Sequence, residues 1–108
     1  MNLKSFAAVF AAAGLTLALA GTANAVDNEA RARELINALG CKGCHQFNGE
    51  GGNLGPALDQ VGARLTSGQL RAKLVDPKAS VPTSIMPSFS HMAEEDLKVL
   101  TEYLAGLK

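Results

Sequence analysis

Apolar residues recur at the spacing of α-helices in two places after residue 26, and no segment alternates as a β-strand does. The clearest pattern covers residues 94–107, which open with three acids and then place an apolar side chain every three or four positions. A second pattern covers residues 27–39, with a cap at Asp27 or Asn28 and an end at Gly40. We therefore predict an all-α domain with a helix at each end.

The middle of the sequence is divided by glycines and prolines. Short helices are predicted over residues 56–62, where Pro56 suits the first helical position, and over residues 67–75, which Asp76-Pro77 should end. Residues 46–55 hold four glycines and residues 81–90 hold two prolines, so both are predicted to be irregular. The whole domain should contain three to five helices.

Residues 1–25 have the pattern of a secretory signal peptide. Lys4 is followed by an apolar run over residues 6–20 and by Ala23-Asn24-Ala25, a small-x-small cleavage signal. An uncleaved membrane anchor is the alternative, but it normally needs about 20 apolar residues and a basic far flank, whereas Asp27 here is acidic. We expect that residues 1–25 are cleaved and that residues 26–108 are exported, which in a cell with two membranes means the periplasm. We expect no stable membrane insertion after cleavage.

The strongest chemical motif is Cys41-Lys42-Gly43-Cys44-His45. Two thiols three residues apart with an imidazole directly after the second is the spacing that attaches a c-type haem. Cys41 and Cys44 would bind the haem vinyl groups as thioethers, and His45 would be the proximal iron ligand. The sequence therefore predicts one haem c per chain.

Two other sites use a C-x-x-C pair. A thiol-disulfide redox centre normally lies in a βαβ unit, and a zinc site needs further Cys or His ligands. The chain has only these two cysteines, and its only other histidine is His91. Both alternatives are therefore weaker than haem attachment.

Charge and size narrow the functional classes. Residues 26–108 carry nine basic and ten acidic side chains, a formal net charge of −1, which excludes a strongly basic nucleic-acid binder. A domain of 83 residues is small enough to gain much of its stability from a bound cofactor. Residues 64–78 have a local net charge of +3, which is either an ordinary solvated surface or a docking rim for an acidic partner.

The mature sequence resembles the class I c-type cytochromes, specifically the small bacterial monohaem proteins. Four segments carry the resemblance: residues 41–45, 53–64, 76–89 and the last helix with Tyr103-Leu104. It implies the small cytochrome c fold, with helices wrapped around one covalently bound haem. Two departures are Ala32 and Ile36 at the expected helix crossing, and Ala93 at the cap of the last helix, where Ser90 is the alternative cap.

The resemblance also implies two further site residues. The carbonyl of Pro56 would accept a hydrogen bond from His45, and Met86, in a loop flanked by prolines, would be the sixth iron ligand. Met92 and His91 are the competing ligands. His45 with Met86 leaves no open iron position, so the expected function is one-electron transfer between respiratory redox proteins by a monomer that is not an enzyme.

Two other functional classes stay open from the sequence. A haem enzyme or gas sensor would have a vacant or displaceable distal ligand. A subunit of a larger membrane complex would use the same domain for docking.

Overall fold

Residues 25–108 are described by the computed structural model. The expected signal peptide and its cleavage lie outside these residues, apart from Ala25. Helix α1 covers residues 25–38, so it is already formed at residue 25 and the predicted caps Asp27 and Asn28 are wrong. It ends one residue before the predicted position, and Gly40 ends it as predicted, because this glycine takes the left-handed conformation (φ 74°) that terminates many helices.

The segment after α1 consists of tight turns instead of the predicted helix over residues 56–62. A 3₁₀ turn covers Cys41–Gly43, and a second covers Val61–Ala63. The N–H groups of Gly55 and Leu58 donate to the carbonyls of Cys44 and Gln46, both at 2.8 Å, which fastens residues 55–58 to the preceding loop. The N–H of Val61, which an α-helix over residues 56–62 would bond to the carbonyl of Ala57, donates instead to that of Leu58 at 3.1 Å.

Helix α2 covers Ser67–Val75, the predicted bounds. Thr66 and Gln69 form a capping box at its start, which satisfies two N–H groups that a helix end leaves free. Asp76 ends α2 as predicted, but Pro77 then begins a further short helix, α3, over Pro77–Ser80 that was not expected. Residues 81–90 are irregular, as their prolines predict.

Helix α4 covers Glu94–Ala105, so the predicted start is right and the helix ends two residues early. No side chain caps it, so Ala93 makes a weak start and the alternative cap at Ser90 is wrong. The all-α prediction is confirmed: the described residues form four α-helices and no strand. Within residues 25–108 no helix is both long and apolar enough to cross a membrane.

The core lies between α1, α2 and α4. Ala32 and Ile36 of α1 and Leu100 of α4 are fully buried, and Arg31 makes two hydrogen bonds to Asp96 at 2.9 and 3.1 Å. The expected crossing of the first and last helices is therefore present. The buried apolar cluster is Leu35, Ile36, Phe47, Leu58, Val61, Leu70, Leu74, Phe89, Leu97, Leu100 and Leu104.

Candidate haem site

Cys41 begins the 3₁₀ turn that follows α1, and Cys44 comes directly after that turn. Both are half-buried free thiols, and the N–H of His45 donates to the carbonyl of Cys41 at 3.0 Å. Burial raises the pKa of the Cys41 thiol. A redox-active cysteine normally has a lowered thiol pKa, so this environment does not favour the thiol-disulfide alternative.

His45 is held by the segment that carries Pro56. Its Nδ1 atom lies 2.6 Å from the carbonyl oxygen of Pro56, and that oxygen can only accept, so Nδ1 carries the proton. The other ring nitrogen, Nε2, then has the free lone pair that metal ligation requires. The structure thus brings together the two residues between which the resemblance implies a hydrogen bond.

Gly55 allows this approach because it lies directly against the imidazole. A Cβ atom at this position would overlap Cε1 of His45 and come within 2.7 Å of Nδ1. The N–H of Gly55 also donates to the carbonyl of Cys44, which fastens the segment to the cysteine motif. Glycine is therefore required here by space, since any side chain would displace the ring.

The glycine-rich loop, residues 46–55, packs against the main chain of the cysteine motif. Gly52 donates to the carbonyl of Lys42 at 2.9 Å, and a Cβ at Gly51, whose φ is 117°, would overlap the carbonyl of His45. Lys42 pairs with Glu50 at 3.3 Å. This ion pair was not predicted, because its partners are eight residues apart in an irregular loop and no sequence period brings them together.

Met86 lies in the irregular segment 81–90 and packs half-buried against the core cluster. It lines an open cleft of about 590 Å³ together with Ile85 and Lys78. Met92, the competing ligand, is also half-buried against the core, whereas His91 is exposed beside Phe89. The role of Met86 as an iron ligand stays a prediction.

Five apolar side chains that we expect to line a haem pocket fall into two groups by their exposure. Leu58, Leu74 and Phe89 belong to the buried core. Leu54 and Ile85, by contrast, are 73% and 79% exposed, next in sequence to Gly55 and to Met86. These exposed apolar side chains adjoin Met86 and Gly55, the glycine that lies against His45, and together with the free Nε2 of His45 they suit a haem.

Three of the basic side chains in residues 64–78 are hydrogen-bonded to other parts of the chain, which leaves them less available to a partner. Arg71 donates to both carboxylate oxygens of Glu94 at 2.6 and 2.8 Å. Lys73 donates to the Ser80 hydroxyl, and Arg64 donates to the carbonyl of Ala57. The local net charge of +3 therefore overestimates the positive charge of this surface, because Glu94, 23 residues from Arg71, neutralises one of its cations.

Comparison with known proteins supports the haem interpretation over the dithiol and zinc alternatives. The family model "Cytochrome c" matches residues 29–108. Cytochrome c oxidase subunit 2 of Alkalihalophilus pseudofirmus is 33% identical over 84 residues, covering 70% of this chain but only 25% of that relative. No solved structure gives a significant match. With the family model covering nearly all of residues 25–108, the chain belongs to the cytochrome c family.

Proposed function

We propose that this chain is an exported monohaem c-type cytochrome that carries single electrons between respiratory redox partners, with His45 and Met86 as axial ligands. Membership of the cytochrome c family makes the chain a haem-binding electron carrier. The observation that carries the finer proposal is the 2.6 Å contact between His45 Nδ1 and the Pro56 carbonyl, directly after the cysteine pair.

Three residues of the motif, Cys41, Cys44 and His45, have defined roles in this proposal. Cys41 and Cys44 would each add sulfur and hydrogen across one vinyl group, which fixes the cofactor covalently. His45 would offer Nε2 to the iron, and its hydrogen bond to Pro56 would orient the ring and raise its basicity. When bound, the haem supplies a one-electron couple between ferric and ferrous iron.

Ligation of the iron by Met86 is what would distinguish an electron carrier from a haem enzyme or sensor. A thioether at the sixth position would leave no room for a substrate or gas, and it would stabilise ferrous iron. Its half-buried position in an irregular loop supports this role over that of exposed His91. Met92 is half-buried as well, so the choice between the two methionines rests on the family resemblance.

The test is a redox titration of the purified holoprotein followed by its optical spectrum. We expect a single one-electron transition and, in the ferric state, the weak long-wavelength band that methionine ligation gives. A ferric spectrum without that band, or rapid carbon monoxide binding by the ferrous wild type, would exclude His-Met ligation.

A second candidate function is that of a subunit of a respiratory oxidase, and the observation favouring it is the 33% identity to an oxidase subunit 2. This chain spans a quarter of that relative's length. Fractionation of the source cells separates the two: a mobile carrier is recovered as a monomer from the periplasmic extract, whereas a subunit co-purifies with a membrane complex.

A further inference from the structure

The loop that carries Met86 is attached to the end of α2 by two adjacent hydrogen bonds. The last carbonyls of a helix have no partner within it. Here the carbonyl of Leu74 accepts from the main-chain N–H of Phe89 at 2.8 Å, and that of Val75 accepts from the Ser88 hydroxyl at 2.6 Å. Only the second bond depends on a side chain that can be removed by mutation.

Met86 itself depends on side-chain hydroxyls for its tethering. Among residues 25–108, no backbone-to-backbone hydrogen bond involves residues 85–88, and Pro87 has no N–H to offer. Instead, the N–H of Met86 donates to the hydroxyl of Ser84 at 3.2 Å. Two residues after Met86, the Ser88 hydroxyl binds Val75 and also accepts from the N–H of Ser90 at 3.3 Å. A serine therefore fixes the loop on each side of the methionine.

We propose that Ser88 is a positioning residue for Met86, whose bond to Val75 keeps the methionine loop closed. The inference rests on the proposed His-Met ligation. Phe89 is buried and keeps its own bond to Leu74, so loss of the Ser88 hydroxyl leaves the loop attached at one point and the core intact. The segment 84–88 then opens more often, and Met86 is displaced more easily by an external ligand.

The experiment measures how tightly imidazole binds to the ferric holoprotein, because imidazole must displace the methionine to reach the metal. Ser88→Ala should bind imidazole about fivefold more tightly than the wild type, the factor that one net hydrogen bond supplies. Ser88→Thr keeps the hydroxyl and should restore wild-type affinity.

Ser90→Ala is the matched control. It makes the same chemical change two residues away, and its hydroxyl has no hydrogen bond within the described part of the chain. Equal imidazole affinity in Ser88→Ala and Ser90→Ala would overturn the inference, as would a lowered urea midpoint in Ser88→Ala with unchanged affinity, the mark of a purely structural role.

The wild-type spectrum separates this inference from the proposed function. If the ferric wild type lacks the methionine band, the ligation itself is wrong and the inference fails with it. If the band is present and Ser88→Ala behaves as the wild type, only the role of Ser88 is wrong.

Discussion

His45 Nδ1 lies 2.6 Å from the carbonyl oxygen of Pro56, so the orientation of the imidazole is set by the main chain and not by a carboxylate. A carbonyl does not change its charge with pH, and it accepts a hydrogen bond from only one tautomer of a neutral imidazole. Proton placement on His45 is therefore fixed by the geometry of the segment that follows the glycine-rich loop.

Gly55→Ala should disrupt this arrangement. The added Cβ would overlap the His45 ring and lie 2.7 Å from Nδ1, so either the imidazole or the Pro56 segment must move. Overpacking of this kind costs about 1–3 kcal/mol. We expect a lower urea midpoint and less haem per chain, measured from the ratio of haem absorbance to protein mass.

Gly43→Ala is the control for this prediction, because a Cβ at Gly43 meets no atom within 4 Å. It introduces the same methyl group within the cysteine motif itself. Equal losses of haem in Gly43→Ala and Gly55→Ala would show that crowding of His45 is not the cause.

Asp96→Asn should reduce stability at neutral pH more than at acidic pH. Hydrogen bonds from Arg31 lower the pKa of the Asp96 carboxyl in the folded protein, outweighing the opposing effect of burial. An unfolded aspartate titrates at about 3.9. A lowered folded pKa adds stability that is fully present above the unfolded value and is lost as pH falls through the folded one.

Urea unfolding at pH 7 and pH 3 measures this effect. The gap in midpoint between the wild type and Asp96→Asn should be larger at pH 7 and should shrink at pH 3. Glu95→Gln is the control, since Glu95 also lies in the first turn of α4 but forms no ion pair within residues 25–108. An equal, pH-dependent gap in Glu95→Gln would assign the effect to the helix end and not to Arg31.

Secondary-structure elements with a strong local sequence pattern were predictable, and segments held by hydrogen bonds to distant parts of the chain were not. Helices α2 and α4 begin where their sequences indicate, because the capping box of α2 and the acidic first turn and apolar spacing of α4 act within one or two turns. The predicted helix at residues 56–62 is absent, and this segment is held instead by the bond from Leu58 to the carbonyl of Gln46, a partner twelve residues away that no local period reveals.

In the candidate site, too, the local features were predictable from the sequence and the long-range contacts were not. The cysteine motif is local and can be identified from five residues. The contact of His45 with Pro56 was expected only through family resemblance, because eleven residues separate the partners. The bond from Ser88 to Val75 was missed, since a serine in a loop offers no sequence signal for which carbonyl it will reach. Long-range polar contacts are therefore what the structure adds.

Maturation is tested by the intact mass of the exported protein. We expect the mass of residues 26–108 plus one haem, because export permits both cleavage before Val26 and covalent attachment. A mass that still includes residues 1–25 would contradict the cleavage prediction. Cys41→Ala should keep a single thioether and unfold at a lower urea concentration, as less of the small domain is held covalently.

Replacement of Met86 tests the distal ligand most directly. Met86→Ala should leave the fold and the attached haem in place, because Cys41, Cys44 and His45 remain, but it should remove the thioether from the sixth position. The reduction potential should then fall by about 0.1–0.3 V, within the roughly 0.8 V range that axial ligands control. An optical redox titration measures this shift.

Met92→Ala is the matched control, since Met92 is also half-buried against the core and lies six residues further along the chain. Carbon monoxide should bind reduced Met86→Ala rapidly and bind the wild type and Met92→Ala poorly, because only the first has lost its ligand. If Met92→Ala instead gains carbon monoxide binding while Met86→Ala behaves as the wild type, then Met92 is the ligand. The electron-carrier function would stand in that case, because a thioether would still close the sixth position and only its place in the sequence would change.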